Sequence, residues 1–132
     1  DVLTLISWVS GDEHEPKRLN LIGTNGAGPI AAAARTIAGS TVNKLAVDTK
    51  GFRFANLTDY RHPDFLVGAV KYGDLPALLA LSAPDPLWIG GEKGATPEIV
   101  AASYKAVGAT NAVQSSGQQN AADAAVVWLL KK

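Results

Sequence analysis

The chain has 132 residues, of which 47% are hydrophobic and 18% are charged, and its formal net charge is zero. This length predicts a single domain with a buried core, and the neutral charge gives no support for binding to nucleic acid or to a membrane surface. The absence of cysteine excludes disulfides, thiolate metal sites and cysteine nucleophiles. No apolar run reaches the length of about 20 residues that spans a bilayer, so we expect no membrane partner.

Apolar positions with helical spacing alternate along the chain with short apolar runs that end in glycine or polar residues. Asp1 is expected to cap the first helix and Gly11 to end it, while Asp74, Thr96 and Asn120 are expected to cap later helices. Residues 49–72 are predicted to form an irregular loop, which either covers a site as a lid or packs on the domain. The predicted helices cover 2–10, 29–38, 75–81, 97–107 and 121–130, and the predicted strands cover 19–22, 44–48, 87–89 and 111–114.

This alternation indicates an α/β fold, a three-layer α/β/α sandwich with a mostly parallel sheet of about four strands, formed by residues 1–132 as one domain. The first strand has no charged residue within 19–22 to discourage pairing at its edge. We therefore expect that edge to be covered, either by a missing N-terminal half of the same domain or by a partner in a homo-oligomer. The chain also lacks methionine, which indicates that Asp1 follows a point of processing or excision in a longer protein. Trp8, Trp88 and Trp128 are expected to be core or interface aromatics.

A glycine-rich turn joins the first strand to the following alanine-rich helix. Gly23, Gly26 and Gly28 allow positive φ angles and close approach of the backbone, and Pro29 suits a first helical turn. One interpretation is an elbow that presents a catalytic residue. The other is a dinucleotide site, in which the helix N-terminus receives a pyrophosphate and Asp48, after the next strand, receives a ribose hydroxyl, although the glycine spacing differs from G-x-G-x-x-G.

Several stretches together resemble the C-terminal half of an α/β-hydrolase domain, in particular proteins of the acetyl xylan esterase and dienelactone hydrolase-like group. The resemblance implies that the four strands correspond to the last four of an eight-stranded sheet. It also implies carboxylic-ester chemistry on a small ester or an acetylated carbohydrate, with no cofactor. The resembling stretches are 1–4, 21–29, 51–54, 71–76 and 83–88.

The same resemblance identifies the positions of a catalytic triad. In the pattern G-x-S-x-G, Asn25 occupies the serine position, and an amide cannot replace the nucleophilic hydroxyl. Glu92 occupies the acid position, and Gln118 or Gln119 occupies the histidine position. His62 is the alternative base, although as a loop residue it is more simply expected to bind a neighbour.

Three functions therefore stay open at this point. The first is an esterase whose site is completed by another segment or subunit, with Ser82, Ser115 and Ser116 as the nearest alternative hydroxyls. The second is a non-catalytic, degenerate hydrolase domain that acts in packing or binding. The third is the dinucleotide-binding unit.

Overall fold

The computed structural model describes residues 1–12, 16–117 and 121–131, and these form five α-helices and one four-stranded sheet. Short 3-10 turns interrupt the connections, notably Phe54–Asn56 and Val70–Tyr72. The helices are α1 (Val2–Ser10), α2 (Gly28–Ala38), α3 (Asp74–Ala80), α4 (Glu98–Ala106) and α5 (Ala121–Leu130), and the strands are β1 (Asn20–Gly23), β2 (Lys44–Asp48), β3 (Leu87–Gly90) and β4 (Val113–Ser116).

The four strands are parallel and lie in sequential order, β1-β2-β3-β4. Because side chains alternate between the faces of a strand, Leu45 and Val47 point to one side of the sheet and Ala46 to the other. The first side packs against α2, α3 and α4, and the second packs against α5. The predicted three-layer α/β/α fold with a parallel sheet is confirmed.

Branched apolar side chains of the two central strands form the larger half of the core. They pack against Leu75 and Leu79 of α3 and against Val100 and Tyr104 of α4, all of which are buried. Burying each of these aliphatic side chains contributes about 2 kcal/mol to folding before the loss of conformational entropy is counted. The strand residues in this cluster are Leu45, Val47, Leu87 and Ile89.

A buried ion pair joins α2 to the segment that precedes β3. Nη2 of Arg35 lies 2.5 Å from Oδ2 of Asp85, and the Arg35 side chain is only 4% exposed, whereas that of Asp85 is 33% exposed. The hydroxyl of Tyr104 donates to the main-chain carbonyl of Asp85 at 2.5 Å, and burial raises the pKa of this phenol. Asp85 thus links α2 and α4 to the segment that precedes β3.

The predicted start of β4 and the predicted cap of α4 are wrong. β4 begins at Val113 rather than at 111, because Thr110–Ala112 forms a 3-10 turn and the pairing of Val113 with Leu87 sets the register. Thr96 does not cap α4: Pro97 occupies the N-cap position, and the Thr96 hydroxyl lies 2.6 Å from that of Ser115. The cap predicted at 120 lies outside the described residues, whereas Asp1 accepts from the amide of Thr4 as a cap of α1.

β1 lies at one end of the sheet, and within the described ranges no strand pairs with its outer edge. Ile22 sits beside Ala46 and Trp88 across the sheet, yet it is exposed while the other two are buried. Trp88 is thus a core residue as expected, and Trp8 is exposed and not part of the core. A partner or a further half of the domain at this edge stays a prediction.

Candidate functional site

The turn between β1 and α2 has the geometry of a tight elbow. Asn25 and Gly26 both adopt positive φ angles, 53° and 95°, and both are exposed at its apex. A Cβ atom on Gly23 would lie 2.6 Å from the Cβ of Ala31, and one on Gly28 would lie 2.4 Å from the carbonyl oxygen of Asp48. Both glycines are therefore required for the close packing of the helix on the strands, independently of any ligand.

The carboxyl ends of β2 and β3 bring further polar residues to the same edge of the sheet. Asp48 is buried, and its Oδ1 accepts from the main-chain amide of Lys50 at 3.1 Å. The Thr49 hydroxyl is within hydrogen-bond distance of the Gly90 carbonyl at 3.0 Å. A Cβ on Gly91 would lie 2.4 Å from the amide nitrogen of Lys50, so this glycine is also a consequence of close backbone approach.

Glu92 and Arg53 form a bidentate ion pair at this edge. The Arg53 nitrogens Nη1 and Nη2 donate to the two Glu92 carboxylate oxygens at 2.8 and 2.6 Å. The Thr49 hydroxyl donates to Oε1 of Glu92 at 2.7 Å. The Glu92 side chain is 9% exposed and that of Arg53 is 29% exposed, so the pair is shielded from water mainly on the carboxylate side.

The surroundings of the pair shift both pKa values. Burial by itself raises the pKa of Glu92, but the hydrogen bonds from Arg53 and Thr49 and the guanidinium charge outweigh it, so the net pKa is lowered. The hydrogen bond to Glu92 raises the pKa of Arg53, against the opposing effect of burial. The carboxylate is therefore held in its charged form and accepts three side-chain hydrogen bonds.

Glu92→Gln is expected to lower the free energy of unfolding by about 1 kcal/mol at neutral pH, because it removes the charge from a partly shielded ion pair. Since the folded-state pKa of Glu92 lies below its ordinary value of 4.5, this contribution is present above that value and is lost as the pH falls through the folded-state pKa. Urea unfolding at neutral and acid pH measures the difference. The exposed Glu98→Gln is the matched control, and a difference for Glu92→Gln that stays constant on acidification would contradict the ion-pair assignment.

Asp74 connects the loop that carries Arg53 to α3. Its Oδ1 accepts from the amide of Phe54 at 2.8 Å and its Oδ2 from that of Ala55 at 3.0 Å. Asp74 is the first residue of α3 and has a φ of 61°, and Gly73 occupies the N-cap position, so the predicted cap role is wrong in detail. The carboxylate accepts from the amide of Leu75 in α3 at 2.6 Å and also orders the turn next to Arg53.

The residues predicted from the triad pattern do not form a triad among the described residues. Asn25 lies at the elbow, and Glu92 is paired with Arg53. His62 is exposed in the loop, where its Nδ1 accepts from the amide of Asp64 at 3.2 Å. Gln118 and Gln119 lie outside the described residues.

Two of the alternative serine hydroxyls, those of Ser82 and Ser115, lie in different environments. Ser82 is buried and its hydroxyl has no hydrogen-bond partner among the described residues, while the Ser115 hydroxyl is paired with that of Thr96. Sequence reasoning missed Arg53 and Thr49 as partners of Glu92. The signal for Thr49 was its position directly after a strand, and the signal for Arg53 was its place in the Gly51–Phe54 stretch that carries the resemblance.

No group of histidine, cysteine or acidic residues suited to a metal ion occurs in the part of the chain that the structure describes. Over the same residues, no helix is both long and apolar enough to cross a membrane. Asp48 lies at the end of β2, as the dinucleotide interpretation requires, but its carboxylate is buried and bound to the Lys50 amide. That interpretation stays a prediction.

The fold and the residues at the carboxyl ends of its strands define a parallel α/β/α domain with a glycine elbow after the first strand. Comparisons with protein-family models, with curated proteins and with solved structures find no match to this chain.

Proposed function

We propose that this chain is an α/β-hydrolase-like domain, related to carboxylic-ester hydrolases of the acetyl xylan esterase kind, which has kept the elbow and acts in packing or binding rather than in catalysis. The observation that carries the proposal is Asn25, which is exposed at the apex of the turn with a φ of 53°. A hydrolase elbow presents its serine on a strained turn between strand and helix. The four strands are parallel and follow one another in sequential order, which also supports the proposed relationship to the α/β-hydrolases.

Three features argue against ester hydrolysis by the described residues. The Asn25 amide has no ionisable hydroxyl to attack an ester. A triad acid orients its histidine by accepting an imidazole N–H, whereas Glu92 is paired through both oxygens with the guanidinium of Arg53. The Nδ1 atom of His62 already accepts a hydrogen bond from the main-chain amide of Asp64.

The test compares the hydrolysis of nitrophenyl acetate by the unmodified chain, by Asn25→Ser and by Asn25→Gly. Asn25→Gly keeps a residue that tolerates positive φ, so it serves as the control for the backbone of the elbow. None of the three proteins is expected to exceed the rate in buffer, because among the described residues Glu92 is paired with Arg53 and the Nδ1 atom of His62 accepts from the Asp64 amide. Mass spectrometry after treatment with a fluorophosphonate is expected to find no adduct on Asn25→Ser.

Three outcomes would contradict the proposal in different ways. Hydrolysis by the unmodified chain that disappears in Asn25→Gly would show that Asn25 takes part in catalysis. A fluorophosphonate adduct at position 25 of Asn25→Ser would show that a base stands beside the elbow. A crystal structure of Asn25→Ser in which this residue leaves the positive-φ region would argue against the elbow itself.

A further inference from the structure

An apolar groove runs along the outer face of α2, on the side turned away from the sheet. Its volume is about 450 Å³, within the range of roughly 300–1,000 Å³ that small-molecule sites occupy. The start of α1 forms one wall, and residues 63–66 of the long loop form the other. The groove does not include Asn25, Glu92 or Arg53 among its lining residues.

The sequence of α2 explains the shape of the groove. Ile30, Ala33, Ala34 and Ile37 follow the spacing that places them on one helical face. The two alanines form a shallow floor, and the isoleucines stand at its ends, about 10 Å apart along the helix axis. Ile30 is half exposed and Ile37 is 72% exposed, so much apolar surface along this floor is open to a ligand.

The charged side chains that line the groove are acidic. They are Asp1 and Asp64, and no lysine, arginine or histidine is among the described residues that line it. The carboxylate of Asp1 accepts from the amide and hydroxyl of Thr4. Asp64 is the remaining acidic group beside the apolar floor, and its side chain is 28% exposed.

The nearby imidazole does not donate to the Asp64 carboxylate through Nδ1. Nδ1 of His62 lies 3.8 Å from Oδ2 of Asp64, but the same nitrogen accepts the Asp64 main-chain N–H at 3.2 Å. A nitrogen that accepts a hydrogen bond carries no proton, so it cannot also donate to the carboxylate. Asp64 is a partly shielded carboxylate to which no lysine or arginine among the described residues donates, and such a carboxylate next to apolar surface complements an ammonium group on an apolar body.

We propose that the groove binds a small apolar amine, with its ammonium at Asp64 and its hydrocarbon body between Phe65 and the outer face of α2. The size of the floor suits an aromatic ring on a short alkyl chain. This proposal is independent of the hydrolase-like function, since the elbow and the Arg53–Glu92 pair are not part of the groove.

The experiment titrates the chain, labelled at the isoleucine methyls, with phenylbutylamine, and compares the neutral phenylbutanol and the anionic phenylbutyrate. Of the six isoleucines in the sequence, Ile30 and Ile37 flank the groove and Ile89 is buried in the core. We expect the amine to shift the resonances of Ile30 and Ile37 but not that of Ile89. We expect it to bind about tenfold more tightly than the alcohol, with phenylbutyrate weakest.

Two variants test the charge and the shape of the groove separately. Asp64→Asn is expected to reduce the affinity for the amine to that for the alcohol, while Asp59→Asn, an exposed position in the same loop, leaves it unchanged. Ala33→Leu is expected to fill the floor and abolish binding of all three compounds. Ala102→Leu, at an exposed position of α4, is its control, and an unchanged Ile89 resonance shows that each variant is folded.

Three results would overturn the proposal. Equal affinities for the amine and the alcohol, or an unaltered preference in Asp64→Asn, would remove the role of the carboxylate. Absence of shifts at Ile30 and Ile37 would remove the site. Shifts of these two resonances on dilution, together with a doubled mass by light scattering, would show that a second copy of the chain occupies the groove.

Discussion

Gly28→Ala is expected to lower the free energy of unfolding by about 3 kcal/mol, the upper end of the usual cost of overpacking. The added Cβ would stand 2.4 Å from the carbonyl oxygen of Asp48, and that oxygen belongs to the backbone at the end of β2. A flexible side chain could turn aside, but here α2 itself must move away from the sheet. Urea unfolding measures the loss, which is large beside the roughly 5–15 kcal/mol that stabilises a typical domain.

Gly11→Ala provides the control for this prediction. Neither glycine has a positive φ, but the nearest atom to a Cβ on Gly11 is 3.4 Å away, an ordinary contact. Gly11→Ala is therefore expected to change the free energy of unfolding by less than about 1 kcal/mol. Equal effects of the two substitutions would contradict the close approach of α2 to the end of β2, on which the elbow geometry depends.

Asp85→Ala is expected to lower the free energy of unfolding by about 4 kcal/mol, because it leaves the guanidinium of Arg35 buried without its partner. The Arg35 side chain is 4% exposed and cannot regain water without a movement of α2. Arg35→Met is expected to cost less, since the Asp85 side chain is 33% exposed and its carboxylate can be hydrated in place. Urea unfolding of the two single variants measures this asymmetry.

The double variant of Arg35→Met and Asp85→Ala separates the ion pair from the packing around it. It is expected to be more stable than Asp85→Ala alone, because the unpaired buried charge is gone. The hydrogen bond from Tyr104 to the main-chain carbonyl of residue 85 is kept in every variant and does not contribute to the difference. A double variant no more stable than Asp85→Ala would contradict the assignment of the cost to Arg35.

The elbow and the ion pair differ in how far the sequence predicted them. The elbow was predictable because Gly23, Asn25 and Gly28 lie within one short segment, where local steric rules decide the backbone. The pairing of Glu92 with Arg53 was not predicted, since Arg53 lies 39 residues earlier in the chain and no local pattern links the two. Sequence alone left Glu92 as either a solvated loop acid or a catalytic acid, and the folded chain instead holds it in a shielded ion pair.

Sequence by itself determined the α/β/α class, the order of the helices and strands and, for every element except β4, the bounds to within one residue. Hydrophobic period and the positions of glycine and proline are local properties, so they act before any tertiary contact forms. Only the tertiary structure decided that β4 begins at Val113, that Asp74 binds the Phe54 turn, and that the outer face of α2 lines a groove. These features depend on backbone register and on packing between distant segments, which a local pattern does not contain.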